Sequence, residues 1–150
     1  KENLADLIVK KKENYYTKNI KIKFYKDIIK IINYLKKDYL LGIVTATKRN
    51  TFEKTISDNF KKKFNVIVTG DDTKRGKPYG DPYIYASKKL NIKKSECLVF
   101  ENAPLGIKSA KKARMYCIGI TSTVKKNDLR EADFIIDKFN DILSLSFVIK

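Results

Sequence analysis

Short apolar runs closed by polar turns recur along this chain, and segments with helical spacing lie between them. Continuous runs such as Cys97-Leu98-Val99-Phe100 suit parallel strands covered on both faces, because a strand with one wet face would alternate. In chain order, Leu4, Leu7, Ile8, Tyr15 and Tyr16 fall at helical spacing across the first eighteen residues, and residues 19–24 read as an extended linker. A helix is predicted over 25–37, with Ile28, Ile29, Ile31, Ile32 and Leu35 on its apolar face. A strand at 40–45, a loop at 46–50, a helix at 51–60 and a strand at 66–68 follow. Three glycines, a proline and two adjacent aspartates mark 69–80 as a loop. The next helix runs from 81 to 90, with Asp81 as its cap and Pro82 just inside it. Strands at 97–100, 116–120 and 134–136 then alternate with helices at 104–113, 127–131 and 139–145. This alternation predicts a three-layer α/β fold with a Rossmann-like parallel sheet and right-handed crossovers.

Candidate chemistry collects where strands end. Thr45 closes one strand, Lys77 sits in Gly76-Lys77-Pro78 after the next, and Glu101-Asn102 closes a third. Ligands of open α/β sheets gather at the carboxyl ends of strands. A hydroxyl, a fixed cation and an acid–amide pair suit a Mg²⁺-assisted phosphoryl site, with donors for phosphate oxygens and oxygen ligands for a hard metal. Each residue also has an ordinary structural use: a turn hydroxyl, a solvated loop lysine, and a carboxylate and amide that open a loop and cap the following helix.

Composition narrows the picture. The 150 residues make one domain and carry a net charge of +16, yet only Arg49, Arg75, Arg114 and Arg130 among the 33 basic residues are arginines. Readers of nucleic acid favour the planar arginine fork, and these lysines are spread along the whole chain, so no specific nucleic-acid partner is expected. No apolar run approaches the roughly 20 residues of a membrane helix, and no membrane partner is expected. Cys97 and Cys117 lie in apolar runs and read as buried thiols of a reducing, cytoplasmic compartment.

The order of the strand-end segments is itself informative. Leu41-Gly-Ile-Val-Thr45-Ala-Thr47, Val68-Thr-Gly-Asp-Asp72, Gly76-Lys-Pro-Tyr-Gly-Asp-Pro-Tyr83 and Leu98-Val-Phe-Glu-Asn-Ala-Pro-Leu-Gly-Ile107 resemble the haloacid dehalogenase-like hydrolases. The similarity is to their β-phosphoglucomutase-like phosphatases and sugar-phosphate mutases. The resemblance implies that Thr45 and the backbone of Ala46 and Thr47 hold the transferring phosphoryl group. Lys77 would neutralise nucleophile and phosphate, and Glu101 and Asn102 would hold Mg²⁺. The implied substrate is a small phosphorylated metabolite. Residues 1–20 would be the remnant of a helical cap and linker, and residues 21–150 the core.

Three departures, the last of them minor, qualify this expectation. The family's nucleophile is an aspartate in a DxD segment ending the first strand, and this chain has no such segment. Asn102 also stands where the family usually has aspartate, and Gly80 where proline is common. The chain by itself is therefore expected to be inactive, its first strand and nucleophile belonging to an N-terminal segment of a longer chain. The alternative is a degenerate, non-catalytic binding module or a weak polyanion binder. An absent central strand between the strands ending at Thr45 and Glu101 leaves three outcomes: an open gap, closure of the two strands on each other, or a foreign strand in the slot.

The charge yields the first prediction. Binding to DNA or RNA should be independent of sequence and collapse between low and physiological salt, because lysine–phosphate contacts release counterions. Filter binding at two salt concentrations checks this; salt-resistant, sequence-selective retention would contradict it.

Overall fold

A computed structural model of the protein describes residues 24–145. The helix expected in the first eighteen residues and the cap remnant at 1–20 lie outside the described residues. Within them run α1 (Ile28–Leu35), β1 (Gly42–Val44), α2 (Arg49–Thr55), α3 (Asp58–Lys61), β2 (Val66–Val68), α4 (Asp81–Leu90), β3 (Leu98–Glu101), α5 (Pro104–Lys112), β4 (Tyr116–Ile120) and β5 (Phe134–Ile136). Short 3-10 helices occupy Lys94–Glu96, Lys126–Leu129 and Phe139–Ser144. The last two lie where helices were expected, at 127–131 and 139–145, and are wound as 3-10 rather than α.

Two expectations are corrected. The helix expected at 51–60 is broken in two, because Ile56 is extended between α2 and α3. Asp81 does not cap α4: Gly80 occupies the cap position, and Asp81 in the first turn accepts a bidentate bond from Arg75, Nε and Nη2 both at 2.9 Å.

All strand pairs are parallel, but they form two sheets. β1 pairs with β2 from Gly42↔Val66 to Val44↔Val68, and a second sheet has the order β3-β4-β5. The β1–β2 ladder is extended at both ends: the Asn65 side chain accepts from Leu41 N at 2.9 Å, and Thr45 N donates to Val68 O at 2.9 Å. The apolar run at 40–45 supports only a three-residue strand because β2 offers only three partners.

Helices cover the strands on both faces. Tyr83 of α4 and Ile107 and Ala110 of α5 pack with Val99, Cys117 and Met115 on one side. On the other side Ile31 of α1 joins Ile118, Ile120, Ile136 and Ile142. Three layers result, as the continuous apolar runs require. Both thiols are free; burial pushes Cys97 up from its ordinary range and, with the charges of Glu101 and Asp133, pushes Cys117 up to about 12. Neither is poised as a nucleophile.

Between the two sheets lies a cavity of about 1080 Å³. It is walled by β1 (Ile43, Val44), β3 (Val99, Phe100), α1 (Ile31) and α4 (Tyr83). Of the three outcomes for the slot, closure of the two strands on each other is not found: β1 and β3 do not pair. No helix among the described residues is long and apolar enough to cross a membrane.

Ile118 is fully buried at the centre of the three-stranded sheet, opposite Phe100 and Phe134. Ile118→Ala should destabilise the chain by about 2–5 kcal/mol, the lost transfer energy plus that of the cavity left behind. Urea denaturation followed by circular dichroism provides the measurement.

Candidate active site

The carboxyl ends of β1, β2 and β3 bring three of the expected segments to the mouth of the slot. At the end of β1, Thr47 N donates to Thr45 Oγ1 at 3.1 Å, and the Thr45 hydroxyl donates to Thr47 Oγ1 at 3.1 Å. This folds residues 45–47 into a compact turn of donors. The loop after β2 is fastened to it: Gly70 N donates to Thr47 O at 2.9 Å. A Cβ on residue 70 would stand 2.6 Å from Ala46 O, so only glycine permits this approach.

The paired aspartates act at a distance in sequence. Asp71 accepts from Arg49 N at 2.8 Å, and Asp72 accepts from Thr69 N at 2.6 Å, Thr69 Oγ1 at 2.8 Å and Arg49 Nη2 at 2.6 Å. Burial disfavours the Asp72 carboxylate, but the bonds from Thr69 and Arg49 outweigh it and hold its pKa below the usual carboxylate range. Downstream, the Ser109 hydroxyl donates to Tyr79 O, which ties the loop carrying Lys77 onto α5. The Lys77–Pro78 peptide is cis.

Lys77 reaches across the slot. Its Nζ donates to Val44 O at 3.1 Å, at the end of β1, and to Glu101 Oε1, at the end of β3. Glu101 is 8% exposed, and its Oε1 accepts a second bond, from Tyr83 Oη at 2.5 Å. Burial, then the Glu101 charge and this bond, push the Tyr83 hydroxyl well above its ordinary pKa. The carboxylate lies against the first turn of α5, where a Cβ on residue 106 would overlap it; Gly106 makes the room. Asn102 follows at the strand end, with its carbonyl accepting from Thr123 Oγ1 at 3.0 Å. The α5 cap residue is Ala103 with no side-chain cap bond, so Asn102 is not spent as a helix cap.

Lys77 and Glu101 are thus in direct contact, and Thr45 adjoins the carbonyl that Lys77 holds. Tyr83, Gly106, Arg49 and Asp72 were not anticipated as site residues. A tyrosine two residues into a helix reads as core, and nothing in the intervening sequence connects Arg49 to Asp72. Glu101 and Asn102 supply hard oxygen donors of the kind Mg²⁺ takes, but they are two against an octahedron of six. Among the described residues no three of His, Cys, Asp or Glu converge as a metal cluster.

The family model for haloacid dehalogenase-like hydrolases matches residues 1–120. This chain belongs to that family. It is 36% identical over 103 residues to validoxylamine A 7'-phosphate phosphatase of Streptomyces hygroscopicus subsp. limoneus, covering 68% of this chain and 48% of that protein. It is 30% identical over 129 residues to the pyrophosphatase PpaX of Bacillus mycoides (strain KBAB4), covering 81% and 59%. A haloacid dehalogenase hydrolase of family IA, variant 3, from Entamoeba histolytica HM-1:IMSS superposes with a TM-score of 0.75 at 30% identity, over 92% of this chain and 66% of that one. The chain spans about half the length of the curated relatives it matches.

The Asp72 clamp has a pH signature. Its folded pKa is depressed, so its contribution to stability is present above the ordinary carboxylate pKa of about 4 and fades as pH falls below it. Asp72→Asn should cost about 1–3 kcal/mol near neutrality and flatten the acid limb of the stability profile. Urea midpoints measured from neutral pH down to about pH 2 should show the two proteins converging.

Proposed function

We propose that this chain is the phosphate-handling core of a phosphatase or phosphomutase acting on a small phosphorylated metabolite. Its nucleophilic carboxylate is delivered by a strand seated in the slot between β1 and β3. The observation that carries this reading is the Lys77 bridge: a part-buried ammonium held between the ends of two strands whose facing edges stand apart. An ammonium there lowers the repulsion between an incoming phosphate and a carboxylate nucleophile.

The residues take complementary roles. The Thr45 hydroxyl and the backbone N–H groups of Ala46 and Thr47 donate to non-bridging phosphate oxygens, exchanging their mutual bonds for bonds to the ligand. Lys77 draws the phosphate toward the strand end and keeps the approaching carboxylate ionised. A carboxylate oxygen from the seated strand attacks phosphorus, the P–O ester bond breaks, and the leaving oxygen takes a proton as the alcohol. Water then releases the phosphoryl group from the acyl phosphate in a phosphatase, and a second sugar hydroxyl takes it in a mutase. Glu101 and Asn102 would hold Mg²⁺, which adds positive charge to the site when bound. The activities of the relatives, on validoxylamine A 7'-phosphate and on pyrophosphate, support a small phosphorylated substrate.

A complementation experiment tests the proposal. An apolar peptide of strand length ending in a DxD segment, added to the 150-residue chain or fused to it, should raise the melting temperature and produce hydrolysis of a generic phosphate ester. Lys77→Ala in the complemented protein should lower kcat by about 10²-fold or more, the scale of removing one preorganised charge-stabilising group. A chain that is monomeric, cooperative and equally stable with and without the peptide would overturn the slot reading.

A further inference from the structure

Tyr83 does more than fill the core. Its ring packs among Val99, Ile107 and Ala110, a place that phenylalanine would serve equally well. The hydroxyl is the part that packing does not explain: it is carried on α4 and donates to Glu101 Oε1 at 2.5 Å, the same oxygen that accepts from Lys77 Nζ. Two donors converging from different sides therefore hold Oε1, while Gly106 leaves the carboxylate no Cβ to push against. Glu101 Oε2 takes neither bond.

We infer that Tyr83 is a positioning residue: its hydroxyl, with the Lys77 ammonium, pins Glu101 Oε1 and leaves Oε2 as the one oxygen offered to the site. With Lys77 alone on Oε1, the carboxylate plane is free to tilt about its last bond. With a second donor fixed to a helix, that rotation breaks a charge-assisted hydrogen bond. The functional consequence rests on the phosphoryl-transfer reading above; the geometric claim stands apart from it.

The test compares Tyr83→Phe with Tyr85→Phe, a control on the same helix whose ring lies under Lys89 and outside the site. Crystal structures of the two variants of the 150-residue chain should differ at Glu101. In Tyr83→Phe the carboxylate plane turns away from its wild-type orientation, whereas Tyr85→Phe leaves it in place. An unchanged Glu101 in Tyr83→Phe overturns the inference. In the peptide-complemented protein, Tyr83→Phe should lower kcat for the phosphate ester about tenfold while KM stays within about twofold, the split expected of a lost alignment. Added to Glu101→Gln, it should cost nothing further, because both variants act through one group. Additive losses, or a fall in melting temperature with kcat intact, mean a packing role only and also overturn it. If the complemented wild-type hydrolyses no ester, the phosphoryl-transfer reading fails, and the orientation of Glu101 still decides whether Tyr83 holds it.

Discussion

One ammonium group joins the two halves of a divided sheet. Lys77 Nζ is bonded to a backbone carbonyl on β1 and a carboxylate on β3, and these strands belong to separate ladders. A charge in so sheltered a place is tolerable only beside an opposite charge with its hydrogen bonds satisfied. Glu101 supplies that charge, and Tyr83 completes its shell. The same constraint reaches outward through the loop that carries Lys77, which is fixed by Asp72 on Thr69 and Arg49, by Arg75 on Asp81, and by Ser109 on the Tyr79 carbonyl. Each tether removes freedom from a segment whose composition is that of a mobile loop. The rigidity of the site is therefore distributed over α2, α4 and α5 rather than residing in the loop itself.

Much of the architecture was legible because burial on both faces leaves a plain mark. The runs at 66–68, 97–100, 116–120 and 134–136 contain too little polar alternation for a wet-faced strand, and all four are strands. Helix limits were less legible. Phe52, Ile56 and Phe60 share the spacing of one continuous helix, yet Phe52 is buried in the fold while Phe60 stacks on Phe24 with ring centroids 4.4 Å apart. The helix breaks at the extended Ile56 between them, and periodicity cannot register which neighbour an apolar residue meets. Asp81 illustrates the same difficulty in polar form, since a cap and an arginine partner six residues upstream call for the same side chain.

The site divides in the same way. Thr45, Lys77 and Glu101 were readable because each closes a strand or follows one, where a parallel sheet gathers its ligands. Tyr83 and Asp72 were not, because their roles come from contacts made across the chain. The Tyr83 hydroxyl meets a residue eighteen positions on, and Asp72 one twenty-three positions back. A buried aromatic and a loop carboxylate are the commonest residues of their kind, and only three-dimensional convergence distinguishes these two.

The slot also has a direction. The carboxyl ends of β1 and β3 meet at Lys77, so a segment that pairs in parallel with both enters with its own carboxyl end beside the ammonium. Strand geometry then turns depth of entry into chemistry. A slip of one residue sends every side chain to the opposite face, and a slip of two displaces a given carboxylate by roughly 6.6 Å, beyond reach of any bond to the ammonium. The open edge works as a ruler, and its graduations are the backbone hydrogen bonds themselves.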